Sequence, residues 1–287
     1  MNWFAVEHVA LVGAVGTAAD LGLDDLAWQL PWALSTYIRR TGHLHDRAAV
    51  QRTALAAAQR LGDREAEAIA SRLLGNVVNR LGSFTEALDF HDRSLALLAE
   101  SGNNAERADT LLARARVHER TRRFDDALVD AAAAYSFAVM AERRDVQAGA
   151  LTMRARCTAV LGRPNDAAEI CEQALATYRE IGTPEGVADS LGTLALALHL
   201  AGEPARAIQH YRESIRLDYE LDDRYYTAYA LNNIGDSYWD LGQWTSATEA
   251  WQQAIATFEQ LDHPDADDVK AKLTAHVRAR PTSRDTK

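Results

Sequence analysis

The amino-acid sequence predicts an all-α fold, a superhelical solenoid of helix hairpins with a period of forty residues and about 14 helices. Three observations carry this. Written in rows of forty, Gly42, Gly82, Gly162, Gly202 and Gly242 share one column, with Arg122 in the remaining row. A second column, twenty residues out of phase, holds Gly22, Gly62, Gly102 and Gly182, with Glu142, Asp222 and Asp262 in the other rows. Between these breaks apolar residues recur at three- and four-residue spacing, as in Leu73, Leu74, Val77, Val78 and Leu81, which is the pattern of an amphipathic helix.

A glycine just past a helix end supplies the left-handed cap, and the Asp, Asn or Pro that follows opens the next helix. Leu61-Gly62-Asp63 and Leu161-Gly162-Arg163-Pro164 show this punctuation. The expected order is one helix over about 2–20, then six pairs over about 24–61, 64–101, 104–141, 144–181, 184–221 and 224–261. A capping helix over about 265–279 and a disordered polar tail over 280–287 complete a single solenoid. Pro31 falls inside a helix and should bend it. The column Ala87, Ala127, Ala167, Ala207 and Ala247 marks a helix contact too close for a larger side chain. Because the first helix reads as the second member of a missing pair, the chain is expected to be a piece of a larger protein.

Composition narrows the function classes. Hydrophobic residues make up 47% and charged residues 25%, with 16 Gly and 6 Pro, an ordinary globular balance that favours helices. No apolar run reaches the roughly 20 residues of a membrane span, and the N-terminus carries no secretory signal. Cys157 and Cys171 are the only cysteines, which suits a reducing cytoplasm and two small buried side chains. A net charge of −10 argues against direct contact with nucleic acid.

Leu231, Ile234-Gly235, Tyr238, Ala247, Trp251 and Ala254 sit at the signature spacing of the tetratricopeptide repeat, which the chain therefore resembles. The usual repeat has 34 residues, so at forty each helix gains most of a turn, as in the long-helix variants attached to signalling ATPases. Three phrases, Gly22 to Leu34, Gln51 to Ala58 and Leu261 to Asp267, are similar to the C-terminal repeat region of antibiotic-regulatory-protein-type transcriptional regulators. The resemblance implies a right-handed superhelix that senses a signal or partner, alongside DNA-binding and nucleotide-binding domains that this sequence does not contain. No G-x-x-x-x-G-K-[ST] loop occurs, and no cofactor is expected.

Catalytic constellations are also absent from the sequence: there is no H-E-x-x-H, C-x-x-C or G-x-S-x-G. His43-x-His45-Asp46 approaches a metal cluster, but it falls at an inter-helix turn where polar residues are expected anyway. The expected role is binding, not catalysis. In the repeat family the first helix of each pair lines the concave groove. The resemblance then places ligand contacts at Trp32, Thr36 and Arg39; Arg72, Asn76 and Asn79; Leu112, Arg116 and Glu119; Thr152 and Arg156; Leu196 and His199; and Tyr229, Asn232, Asp236 and Trp239. Arg39, Arg72, Arg116 and Arg156 come from four successive repeats, so the early groove should be basic within an acidic molecule. They could equally pair with neighbouring acids as a salt-bridged face. The expected partners are an acidic peptide or protein segment or an anionic small molecule, together with other domains of a parent regulator. The competing reading is a constitutive homo- or hetero-oligomeric assembly module.

Overall fold

The computed structural model describes residues 7–41 and 44–279, the side chains of 35–41 and 277–279 excepted. Among the described residues all regular structure is α-helical, in fourteen helices. They are α1 (His8–Asp20), α2 (Asp24–Thr41), α3 (Leu44–Leu61), α4 (Arg64–Arg80), α5 (Phe84–Leu98), α6 (Asn104–Arg120) and α7 (Phe124–Met140). There follow α8 (Arg144–Val160), α9 (Pro164–Ile181), α10 (Pro184–Leu200), α11 (Pro204–Glu220), α12 (Arg224–Asp240), α13 (Trp244–Gln260) and α14 (Asp265–Ala279). From α2 onward consecutive helices pack as antiparallel hairpins, and each first helix also touches its counterpart in the next hairpin. That nearest-neighbour stacking buries a series of apolar clusters along the array.

The helix ends follow from local chemistry. Asp63 Oδ1 accepts hydrogen bonds from the backbone N–H of Glu65 and Ala66, both at 3.0 Å, and Asn103 Oδ1 accepts from Glu106 N–H at 3.0 Å. Pro164, Pro184 and Pro204 open their helices, where a missing N–H costs nothing. At the other ends every described position of both glycine columns has positive φ, including Arg122 at 60° and Asp222 at 56°. A side chain at such a φ is strained, so the tight turn outweighs local preference at these two residues. Helix α2 continues through Pro31, whose carbonyl accepts a hydrogen bond from Gln51 Nε2 at 3.3 Å.

The alanine column is buried without exception: Ala87, Ala127, Ala167, Ala207 and Ala247 all have zero exposure. Close approach of another kind occurs at Gly75 and Gly235, which occupy the same repeat position. A Cβ on Gly235 would lie 2.4 Å from the Trp251 indole, and one on Gly75 2.7 Å from the His91 imidazole. The bulky partner fills the space that the glycine vacates. His91 is fully buried with neither ring nitrogen hydrogen-bonded; burial, and then the charges of Arg72, Arg114 and Arg116, push its pKa down to about 3. It is a neutral core residue.

The superhelix comes round on itself. Arg120 in α6 donates from Nη2 to Asp265 Oδ1 at 2.8 Å, across 145 residues of chain, and from Nη1 to the Asn79 carbonyl at 2.8 Å. The Arg80 guanidinium lies 4.4 Å from the centre of the Tyr225 ring. Helix α12 also touches α2. The inner face thus surrounds a chamber instead of lining an open trough.

Candidate functional site

The first helices of successive pairs form most of the chamber wall, and two adjoining cavities lie between them. One has a volume of about 280 Å³ and the other about 470 Å³. Arg116, Arg156, Leu196, Tyr226 and Tyr229 line both, so the cavities are two lobes of one chamber. Their sizes fall near or within the range of roughly 300–1,000 Å³ typical of small-ligand sites.

The arginines that the repeat pattern sets on the inner face differ in their partners. Arg72 is held by Glu106 through Nε and Nη2, at 3.2 and 2.8 Å. Arg156, with a side chain only 12% exposed, meets Asp189, Glu119 at 3.5 Å and the Thr193 hydroxyl at 2.8 Å. Burial works against the Arg156 charge, but Asp189 and Glu119 outweigh it and hold its pKa well above the ordinary value. Arg116, half-buried between the lobes, has no ion-pair or hydrogen-bond partner among the described residues. Its guanidinium is a fork of donors in the wall common to both lobes.

Acids and tyrosines complete the wall. Asp109 and Asp145 both face Arg143, at 3.4 and 2.7 Å. Asp218, near the end of α11, is 5% exposed and faces no cation. Burial, then Asp223 and Asp189, raise its pKa to about 8, while a hydrogen bond from Ser214 opposes the shift. Burial and Glu119 lift the Tyr229 phenol to about 12. Both cysteines are buried and free, their thiols pushed up to about 12 chiefly by burial. Among the described residues no group of three or more His, Cys, Asp and Glu could hold a metal ion; His43 lies outside the described residues.

The structure distributes the sequence-derived positions over three places. Asn76, Asn79, Arg116, Arg156 and Tyr229 line the chamber, and so do Leu112, Glu119 and Leu196. Arg72 sits in its pair with Glu106, and Thr152 is buried, its hydroxyl 3.0 Å from that of Ser190. His199 is occupied by Ser237 at 3.1 Å. At the far end Asn232, Asp236 and Trp239 face α14. Lys272 Nζ donates to Asn232 Oδ1 and to both oxygens of Asp236 at 2.8 Å, and the His276 ring packs edge-on to Trp239 at 4.8 Å. Trp32 is 54% exposed on α2; the side chains of Thr36 and Arg39 lie outside the described residues.

Sequence reasoning missed the acidic half of the wall. Asp109 and Asp189 share a repeat column with Tyr229, so extending the inner stripe one turn towards the helix starts would have found them. Asp223 belongs to the N-cap column with Asp63 and Asn103, and Asp218, from a second helix, is the one acid in the column of Leu98, Ala138 and Tyr178; neither column lies on the inner stripe of first helices.

A solenoid whose inner helices enclose a polar chamber defines a repeat-type binding scaffold. The chain belongs to the tetratricopeptide repeat family, whose models match residues 65–138 and 147–220 and, for a second repeat type, residues 227–261. A search of curated proteins finds no match to this sequence. Among solved structures, a Rap protein complexed with competence and sporulation factor superposes with a TM-score of 0.63 at 12% identity, over 92% of this chain and 79% of that one. The signal transduction ATPase with numerous domains and a tetratricopeptide repeat sensor from Pyrococcus horikoshii gives 0.63 at 13% identity; the match covers 96% of this chain and 41% of that one. BtubC from P. vanneervenii gives 0.56 at 16% identity, over 77% and 92% of the two chains. At these identities the likeness is one of fold.

Proposed function

We propose that this chain is the sensor or scaffold domain of a cytoplasmic transcriptional regulator, non-catalytic, binding a peptide, a protein segment or an anionic small molecule in its chamber. One observation carries the reading: Arg116 stands unpaired at the junction of two cavities while the arginines beside it, Arg72 and Arg156, hold carboxylates. A half-buried guanidinium without a partner has donors to spare, and a ligand carboxylate or phosphate would take them up. Two fold relatives support the context, one a sensor within a signalling ATPase and one a Rap protein complexed with competence and sporulation factor. The similarity of Gly22 to Leu34 and Leu261 to Asp267 to antibiotic-regulatory-protein-type regulators points the same way. No helix among the described residues is long and apolar enough to cross a membrane.

Ligand binding would act by population shift, favouring whichever superhelix curvature holds it better. The test is a thermal-shift and calorimetry screen of acidic peptides and anionic metabolites against the wild type and Arg116→Met. Saturable binding that the folded variant loses is the expected result, and a screen in which nothing binds would sink the reading. A second reading, an assembly module, draws on Val9, Leu21, Leu23, Leu26 and Trp32, large apolar side chains each exposed on α1, α2 or their turn. A ligand-independent dimer in sedimentation, lost in Leu21→Asp/Leu26→Asp, would favour it.

A further inference from the structure

The two lobes of the chamber carry opposite charge. The larger presents six arginines, Arg47, Arg80, Arg116, Arg120, Arg122 and Arg156, against two carboxylates, Glu119 and Asp265. The smaller presents six carboxylates, Asp109, Asp145, Glu185, Asp189, Asp218 and Asp223, against Arg116 and Arg156. Many of these charges are neutralised within the wall: Arg120 by Asp265, Arg156 by Asp189 and Glu119, and Asp109 and Asp145 by Arg143.

What is left over is specific. In the basic lobe the half-buried Arg116 and the exposed Arg122 have no partner among the described residues. In the acidic lobe Asp218 is buried with a hydroxyl neighbour, Ser214, but no cation. Tyr226 and Tyr229 stand in the wall common to both. A simple anion would satisfy Arg116 and leave Asp218 without a cation; a simple cation would satisfy Asp218 and leave Arg116 without an anion.

We propose that the chamber binds a zwitterion, with its carboxylate or phosphate on Arg116 in the basic lobe, its ammonium or guanidinium on Asp218 in the acidic lobe, and its body against Tyr226 and Tyr229. The ligand class is a short linear peptide with free termini or an amino-acid-like metabolite. This deepens the binding role proposed above and rests on it. Asp218 holds its proton until a cation arrives and gives it up to solvent as the ammonium binds; the opposite poles then fix the ligand's direction in the chamber, because reversing it would set its ammonium against Arg116.

The experiment is calorimetry on the intact chain at pH 7.5 with three probe sets. These are unmodified tripeptides to hexapeptides, the same peptides N-acetylated or C-amidated, and free amino acids. Unmodified peptides are expected to bind, with each blocked terminus weakening binding by about tenfold or more. Asp218→Asn should abolish the penalty for acetylation and keep that for amidation; Arg116→Met should do the reverse. A misfolded variant would lose both together, so the crossed pattern separates recognition from folding. Free amino acids binding as tightly as peptides would assign the same chemistry to a metabolite. Acetylated peptides or plain dicarboxylates binding equally well would overturn the zwitterion and leave an anion-binding domain. Binding by none of the three sets would also overturn it, and the acidic-peptide and anion screen above judges the broader role separately.

Discussion

Two stretches of the same inner face meet different fates. In the middle of the solenoid Arg116 opens onto the chamber with nothing across from it. At the C-terminal end Asn232, Asp236 and Trp239, equally inward by the repeat pattern, are covered by α14, with Lys272 and His276 seated on them. The cap contributes an amine and a ring that occupy these side chains. Repeat position therefore gives the direction of a side chain; whether that side chain is available depends on what covers it.

The comparison predicts graded responses to substitution. The largest is at Arg156, whose removal strands Asp189 and Glu119: Arg156→Met should cost about 3–5 kcal/mol in urea unfolding. A cost near zero would mean that the chamber wall is as wet as an ordinary surface.

Next comes Asp218, where the sign depends on pH. Its folded pKa of about 8 exceeds the ordinary 3.8, so the folded chain holds the proton. Its contribution is intact below about 3.8 and is lost as pH rises through about 8. Asp218→Asn should accordingly be more stable than wild type by about 1–3 kcal/mol at pH 8.5, the gain fading towards pH 4. His91, with its pKa depressed to about 3, contributes stability present above pH 6.5 that is lost as pH falls towards 3. That dependence is common to both proteins and cancels in the difference between their melting curves.

At the capped end Lys272→Met should cost about 1 kcal/mol, less in high salt, because the ion pair is part-exposed. The smallest effect belongs to Arg116→Met, within about 0.5 kcal/mol of wild type, since no partner is stranded. A large loss there would reveal a structural role and remove the contrast on which the binding site rests.

Fold class and repeat were legible because they are written periodically. The turn columns recur every forty residues, and even Arg122 and Asp222, which break the glycine rule, keep the left-handed backbone. Side chains on the inner stripe, such as Asn79, Arg116 and Tyr229, follow from the same periodicity. Asp218 does not, because it belongs to a second helix and lies off the inner stripe, lining the chamber with Tyr178 of the neighbouring hairpin. The pairing of Arg120 with Asp265 was equally hidden, since no local pattern links residues 145 positions apart.

That pairing bears on how the molecule melts. A linear array of repeats unravels from its ends, each terminal unit letting go at little cost to the rest. Here Arg120 and Arg80 tie the second and third hairpins to Asp265 and Tyr225 near the other terminus. Loosening either end strips contacts from the other, so hydrogen exchange should show both termini opening together, and the array behaves as one cooperative unit.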